Sequence, residues 1–163
     1  MGKHLFLIRH AESSHPSGVR DFDRPLNEVG YEEANKMSMQ LRYYDIQPEL
    51  FISSPAKRAL STAMIFAETF HVPATQIQPE NMIYGASTET LLTIVNHLPD
   101  EYNHIALFGH NPGITEFAEY LTDNYLGNIP TAGIVHIAFN EDHWDHVSIS
   151  SGTLTWKTTP KSH

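Results

Sequence analysis

Two histidines and two arginines stand at positions where a short apolar run gives way to polar residues. Arg9-His10 follows Leu5-Phe6-Leu7-Ile8, Arg58 follows Leu50-Phe51-Ile52-Ser53, and His110-Asn111 follows Ile105-Ala106-Leu107-Phe108. Such runs read as buried strands, and ligands bind beyond the carboxyl ends of parallel neighbours. If the three strands are adjacent, both guanidinium groups and both imidazoles meet at one edge. Guanidinium forks, imidazole donors and helix N-termini suit the non-bridging oxygens of a phosphoryl group. One of the two imidazoles, kept neutral and in line with phosphorus, could attack through its free nitrogen, and water would later hydrolyse the phosphohistidine. The arginines would favour the neutral form and stabilise the transferring group. This chemistry needs no metal. The chain has no cysteine, which excludes thiolate nucleophiles and disulfides, and its 11 histidines are scattered without an HExxH motif.

The elements that would position these residues alternate. Asn27 is expected to cap a helix running to about Tyr44, with Gly30 a mild penalty near its start. Ser54 would cap, and Pro55 would open, a second helix through Phe70. After an ambiguous stretch with at most a short strand near Ile77, Ser87 caps a third helix that ends before Pro99. A fourth follows His110-Asn111-Pro112-Gly113 and carries Ile114, Phe117, Ala118 and Leu121. Alternation in 134–139, and again from His146 to Trp156, predicts an antiparallel hairpin at one edge of the sheet, turning at 140–145. The sum is an α/β, three-layer α/β/α sandwich with a mixed, mostly parallel central sheet.

A length of 163 residues fits one domain spanning 1–163, and the formal net charge of -9 argues against nucleic acid or an anionic membrane as partner. The apolar run at Leu5–Ile8 is too short for a signal segment or a membrane span, so a cytoplasmic protein is expected.

Four segments then carry a resemblance. Leu7-Ile8-Arg9-His10-Ala11-Glu12 resembles the RHG box of the histidine phosphatase superfamily, with Ala11 in place of the usual glycine. Arg24-Pro25-Leu26-Asn27-Glu28-Val29-Gly30 with Ala34, Ser53-Ser54-Pro55-Ala56-Lys57-Arg58-Ala59 with Thr62-Ala63, and Gly109-His110-Asn111-Pro112-Gly113 resemble the family's later motifs in order and spacing. The resemblance implies a phosphoglycerate mutase-like fold, His10 as nucleophile, and Arg9, Arg58 and His110 as phosphate ligands. Asn111 and Ser14 are its lesser candidates for the pocket wall. In length the chain is similar to the short phosphohistidine phosphatases of the SixA type, which lack lid segments. An open site would suit a phosphorylated side chain on a protein, such as a histidine-phosphotransfer or phosphocarrier protein, and no cofactor is implied.

Larger members place a carboxylate as proton donor. Here the donor could be Glu80, Glu89 or none, and a phosphohistidine substrate relaxes the need because imidazole is less basic than an alkoxide. Glu12 is expected to turn from the phosphate toward an arginine or backbone donors. Arg24 is read as ordering the first loop through Asp21 or Asp23, and Arg20 as solvated. His71, His97, His136, His143 and His146 read as surface or strand-face residues. A small phosphomonoesterase with the same nucleophile, and a silent phosphate-binding domain, are the alternatives.

Overall fold

A computed structural model describes residues 2–161. Strands β1 (Lys3–Arg9), β2 (Leu50–Ser53), β3 (Gln78–Pro79), β4 (His104–Gly109), β5 (Ile134–Phe139) and β6 (Gly152–Thr158) form one sheet in the order β3-β2-β4-β1-β5-β6. The first four of that order run parallel, while β5 is antiparallel to β1 and to β6. Helices α1 (Glu28–Leu41) and α2 (Lys57–Thr69) cover one face, and α3 (Thr88–Asn96) with α4 (Gly113–Thr122) covers the other. Successive residues of a strand point to opposite faces, so Phe6 and Ile8 enter the α1/α2 core while Leu5 and Leu7 enter the α3/α4 core. With helices on both sides, every position of the run is buried, as its unbroken apolar character requires. The fold is therefore the expected mixed α/β/α sandwich. Among the described residues, no helix is long and apolar enough to cross a membrane.

Asn27 Oδ1 accepts the Gly30 N–H at 2.8 Å and Ser87 Oγ accepts that of Thr90 at 3.2 Å, so both expected caps are in place. Gly30 is more than a tolerated defect. A Cβ there would stand 2.0 Å from the Glu12 carbonyl oxygen, so its lack of a side chain lets α1 lie against the chain just after β1.

Three expectations need correction. Helix α1 stops at Leu41 rather than near Tyr44, because the Gln47 side-chain amide takes the Arg42 and Tyr44 carbonyls at 2.6 and 3.2 Å and turns the chain. Helix α2 begins at Lys57 with Ala56 as its cap residue, so Pro55 lies outside it, and the Ser54 hydroxyl accepts the Ala56 N–H ahead of the helix rather than an N–H within it. The returning strand starts only at Gly152. The alternating His146-to-Ile149 segment belongs instead to a connection containing a short 3-10 turn, Trp144–His146. Trp144 and Val147 are buried there, and Asn96 donates to both their carbonyls at 2.9 Å, which replaces a strand ladder.

Candidate active site

The sheet order brings the ends of β1, β2 and β4 side by side. Arg9 is level with Gly109 and Ser53 with Phe108. Just beyond, the His10 N–H donates to the Gly109 carbonyl at 3.1 Å and the Ser54 N–H to that of Phe108 at 3.0 Å. His10 and His110 then face each other with ring centroids 5.3 Å apart. Arg9 and Arg58 both act on His10 electrostatically. The four residues expected to converge do so.

His10 is only 7% exposed, and its Nδ1 lies 2.7 Å from the Ala11 carbonyl oxygen. A carbonyl can only accept, so Nδ1 carries the ring proton and Nε2 keeps its lone pair. The peptide that fixes this tautomer is itself held, since the Ala11 N–H donates to Thr62 Oγ1 at 2.9 Å and that hydroxyl donates to the Arg58 carbonyl at 2.8 Å. Burial pushes the His10 pKa down to about 4. The Ala11 carbonyl opposes this by favouring the protonated ring, while the charges of Arg58, Arg9 and Arg24 reinforce it. His10 is accordingly neutral at physiological pH.

His110 is pushed down to about 3, by burial first and then by His10 and Arg58. Its Nε2 lies 2.8 Å from Ser54 Oγ, which already accepts the Ala56 N–H at 3.2 Å. When that hydroxyl gives its proton to Nε2, the His110 ring proton sits on Nδ1. Five buried side-chain polar atoms lack a partner among the described residues, and three of them are His110 Nδ1, Arg9 Nε and Arg58 Nε. Unsatisfied buried groups are rare, so their concentration here marks a place built to receive an acceptor-rich group.

The arginines are held by other groups. Arg9 Nη1 donates to the Ile129 carbonyl at 3.0 Å. Arg58 Nη1 donates to the Asp21 carbonyl at 2.7 Å, and its Nη2 to Asp21 Oδ2 at 3.1 Å. The same carboxylate accepts from Tyr84 Oη at 2.6 Å and from Arg24 Nε at 3.1 Å. The Tyr84 hydroxyl, then Arg58 and Arg24, hold Asp21 well below the usual carboxylate range against a smaller opposing effect of burial. Tyr84 also stands edge-on to His110 at 5.5 Å and to Phe22 at 5.2 Å, forming a wall. Sequence reasoning gives Asp21 only as a partner for Arg24, Ser54 only as a helix cap and Thr62 only as part of a motif, and it passes over Tyr84 and the Ile129 carbonyl. Thr62 had one local signal, a hydroxyl one helical turn after Arg58.

The remaining candidates are placed as follows. Asn111 Nδ2 donates to the Ile129 carbonyl at 2.8 Å, and its Oδ1 accepts from Thr115 Oγ1 at 2.7 Å, so its amide braces the strap that also holds Arg9. Ser14 turns its hydroxyl toward the Pro25 carbonyl at 3.5 Å, the outer limit of a hydrogen bond. Arg24 pairs with Asp21 and donates to Ser13 Oγ at 3.0 Å, ordering the loop as expected. Arg20 is 77% exposed and pairs with Asp23. Glu80 accepts the Met82 N–H at 3.1 Å and Glu89 is exposed in the first turn of α3. Among the described residues, neither has a hydrogen bond or ion pair to the four site side chains. The Glu12 expectation is corrected: its carboxylate has no described hydrogen bond or ion pair, and its backbone carbonyl accepts the Asn27 N–H at 3.2 Å instead. No group of three or more His, Asp or Glu among the described residues could hold a metal ion.

Comparison with known proteins finds similarity in sequence and in fold. The sequence model of the histidine phosphatase superfamily (branch 1) matches residues 5–83. An uncharacterized protein of Mycobacterium tuberculosis is 28% identical over 165 residues, covering 94% of this chain and all of that one. Among solved structures, one described as a phosphohistidine phosphatase SixA from Agrobacterium tumefaciens has a TM-score of 0.81 at 26% identity, covering 98% of this chain and 99% of that one. A protein histidine phosphatase SixA complexed with tungstate has a TM-score of 0.82 at 19% identity, covering 96% and 97% of the two chains.

Proposed function

We propose, from the match of residues 5–83 to the histidine phosphatase superfamily model and from the fold, that this chain is a metal-independent phosphatase of that superfamily acting through phosphohistidine on His10. The observation that carries the reading is the Nδ1 hydrogen bond to the Ala11 carbonyl, which leaves a neutral ring with a free Nε2 beside two arginines. The Nε2 lone pair forms the new bond to phosphorus as the bond to the leaving group breaks. Water then attacks the phosphohistidine, releasing inorganic phosphate and restoring the ring. Arg9, Arg58 and His110 bind the non-bridging oxygens, and their preset positions stabilise the transferring group without reorganisation. No cofactor takes part. Tungstate, bound by a protein of the same fold, is an oxyanion of the shape such a site would bind. Asn111 and Ser14 serve the pocket wall through the backbone they brace.

The physiological target is phosphohistidine on a protein partner. In support, the carboxylates considered as proton donors have no described hydrogen bond or ion pair to the tetrad. The rim residues Asp21 and Tyr84 are also exposed, so a macromolecule can reach the site. The test is phosphate release from a phosphohistidine-bearing protein, beside a phosphoserine peptide and an aryl phosphate, with wild type and His10→Ala and no added metal. His10-dependent release, fastest from phosphohistidine, is expected. Turnover of esters alone would remove the substrate claim, and turnover by His10→Ala would remove the nucleophile.

A further inference from the structure

Leaving-group chemistry gives Asp21 a task beyond holding Arg58. Every expelled group must depart with its electron pair, and a basic alkoxide needs a proton as it goes. Asp21 and Tyr84, which share the 2.6 Å hydrogen bond, cannot readily supply one at neutral pH. The carboxylate is held ionised by three donors, and the Tyr84 hydroxyl is committed to that carboxylate, which raises the phenol's pKa. A phosphorylated imidazole protonated on its second ring nitrogen brings its own proton and leaves as neutral imidazole. What it needs from the protein is an acceptor that favours the imidazolium form.

Asp21 has such an acceptor. Oδ2 already takes Tyr84 Oη and Arg58 Nη2, whereas among the described residues Oδ1 takes only Arg24 Nε at 3.1 Å, and a carboxylate oxygen has two acceptor positions. The side chain is 55% exposed at the rim, beside the arginine proposed to bind the phosphoryl group. We propose that Asp21 Oδ1 accepts the distal ring N–H of a phosphoimidazolium substrate and so selects P–N over P–O bonds. This inference rests on the phosphohistidine reading and names the residue that enforces it. In the step, His10 Nε2 donates its lone pair to phosphorus, the substrate P–N pair returns to the departing ring, and the ring keeps its N–H, so no proton is transferred. An ester has no such N–H to offer.

The test compares wild type with Asp21→Asn on a phosphohistidine peptide and on a phosphoserine peptide, with orthophosphate inhibition measured for both enzymes. Losing one charge-assisted hydrogen bond should lower the ratio of the two kcat/KM values by about tenfold. Orthophosphate inhibition should hold or strengthen, because the backbone carbonyl of Asp21 still anchors Arg58. A ratio that stays within about twofold, or rises, overturns the proposal, as does a fall accompanied by weaker orthophosphate binding in proportion, since Asp21 would then act only through Arg58. If wild type does not cleave the phosphohistidine peptide, the substrate reading falls and takes this inference with it. Cleavage by wild type with an unchanged ratio removes the inference alone.

Discussion

Acidifying the free protein should leave His10 neutral well below the pH at which an ordinary histidine is charged. Burial is the main cause, the arginine charges add to it, and the Ala11 carbonyl only partly offsets them, giving a pKa of about 4 against the usual 6.5. At pH 5.5 a histidine of ordinary pKa is about 90% protonated, whereas one titrating near 4 is about 3% protonated. Proton–nitrogen NMR of the ring-labelled protein, with His10→Ala to assign the signal, reads charge and tautomer together. The expected result is a proton on Nδ1 with a midpoint near pH 4, moving upward in Arg58→Gln, which removes one lowering charge. A midpoint between pH 6 and 7, or a proton on Nε2, would refute the reasoning, because Nε2 could then not be the resting nucleophile.

Gly30→Ala normally stabilises a helix, but here the added methyl meets the Glu12 carbonyl. Overpacking should win, lowering stability by roughly 1–3 kcal/mol in denaturant melts, with a fall in kcat as the chain beside His10 shifts. Thr62→Val keeps the shape and leaves the Ala11 N–H buried without its acceptor. A loss of about 1–3 kcal/mol is expected, together with loss of the fixed His10 tautomer in the ring spectrum. His136 is 2% exposed and pushed down to about 4, by burial first and then by His4 and His104, so the unfolded chain binds more protons than the folded one between about pH 4 and 6.5. Stability therefore falls as pH drops through that window, and His136→Phe, which keeps the ring stacked on Phe6, should flatten the fall in melts at pH 7 and pH 5.

Strand runs and side-chain caps were legible because each is written locally. Leu5–Ile8, Leu50–Ser53 and Ile105–Phe108 must be apolar throughout to lie between two helix layers, and Asn27 and Ser87 each bond a residue three positions on. The four charged or imidazole site residues were legible because each stands at the end of such a strand, directly after it, or in the first turn of the helix that follows it. Asp21 was legible only as a partner for Arg24, since its other partners Arg58 and Tyr84 are 37 and 63 residues away and only the folded loop brings them together. Ser54 misled for a related reason. Its place before Pro55 reads as the helix cap, yet its hydroxyl accepts the Ala56 N–H ahead of the helix and pairs with His110 from across the sheet edge. The 146–149 segment misled through its alternation, which arises because Val147 joins the core from a turn that Asn96 pins.

The central claim is that His10 itself carries the phosphoryl group in mid-reaction. Rapid acid-free quenching of the enzyme during turnover of an aryl phosphate, followed by mass spectrometry of its peptides, tests this most directly. A phosphate on His10 that is labile to acid and stable to alkali, and that is absent from His10→Ala, is the predicted result. Turnover with no modified peptide at any quench time, or a phosphate on His110 instead, would contradict the account.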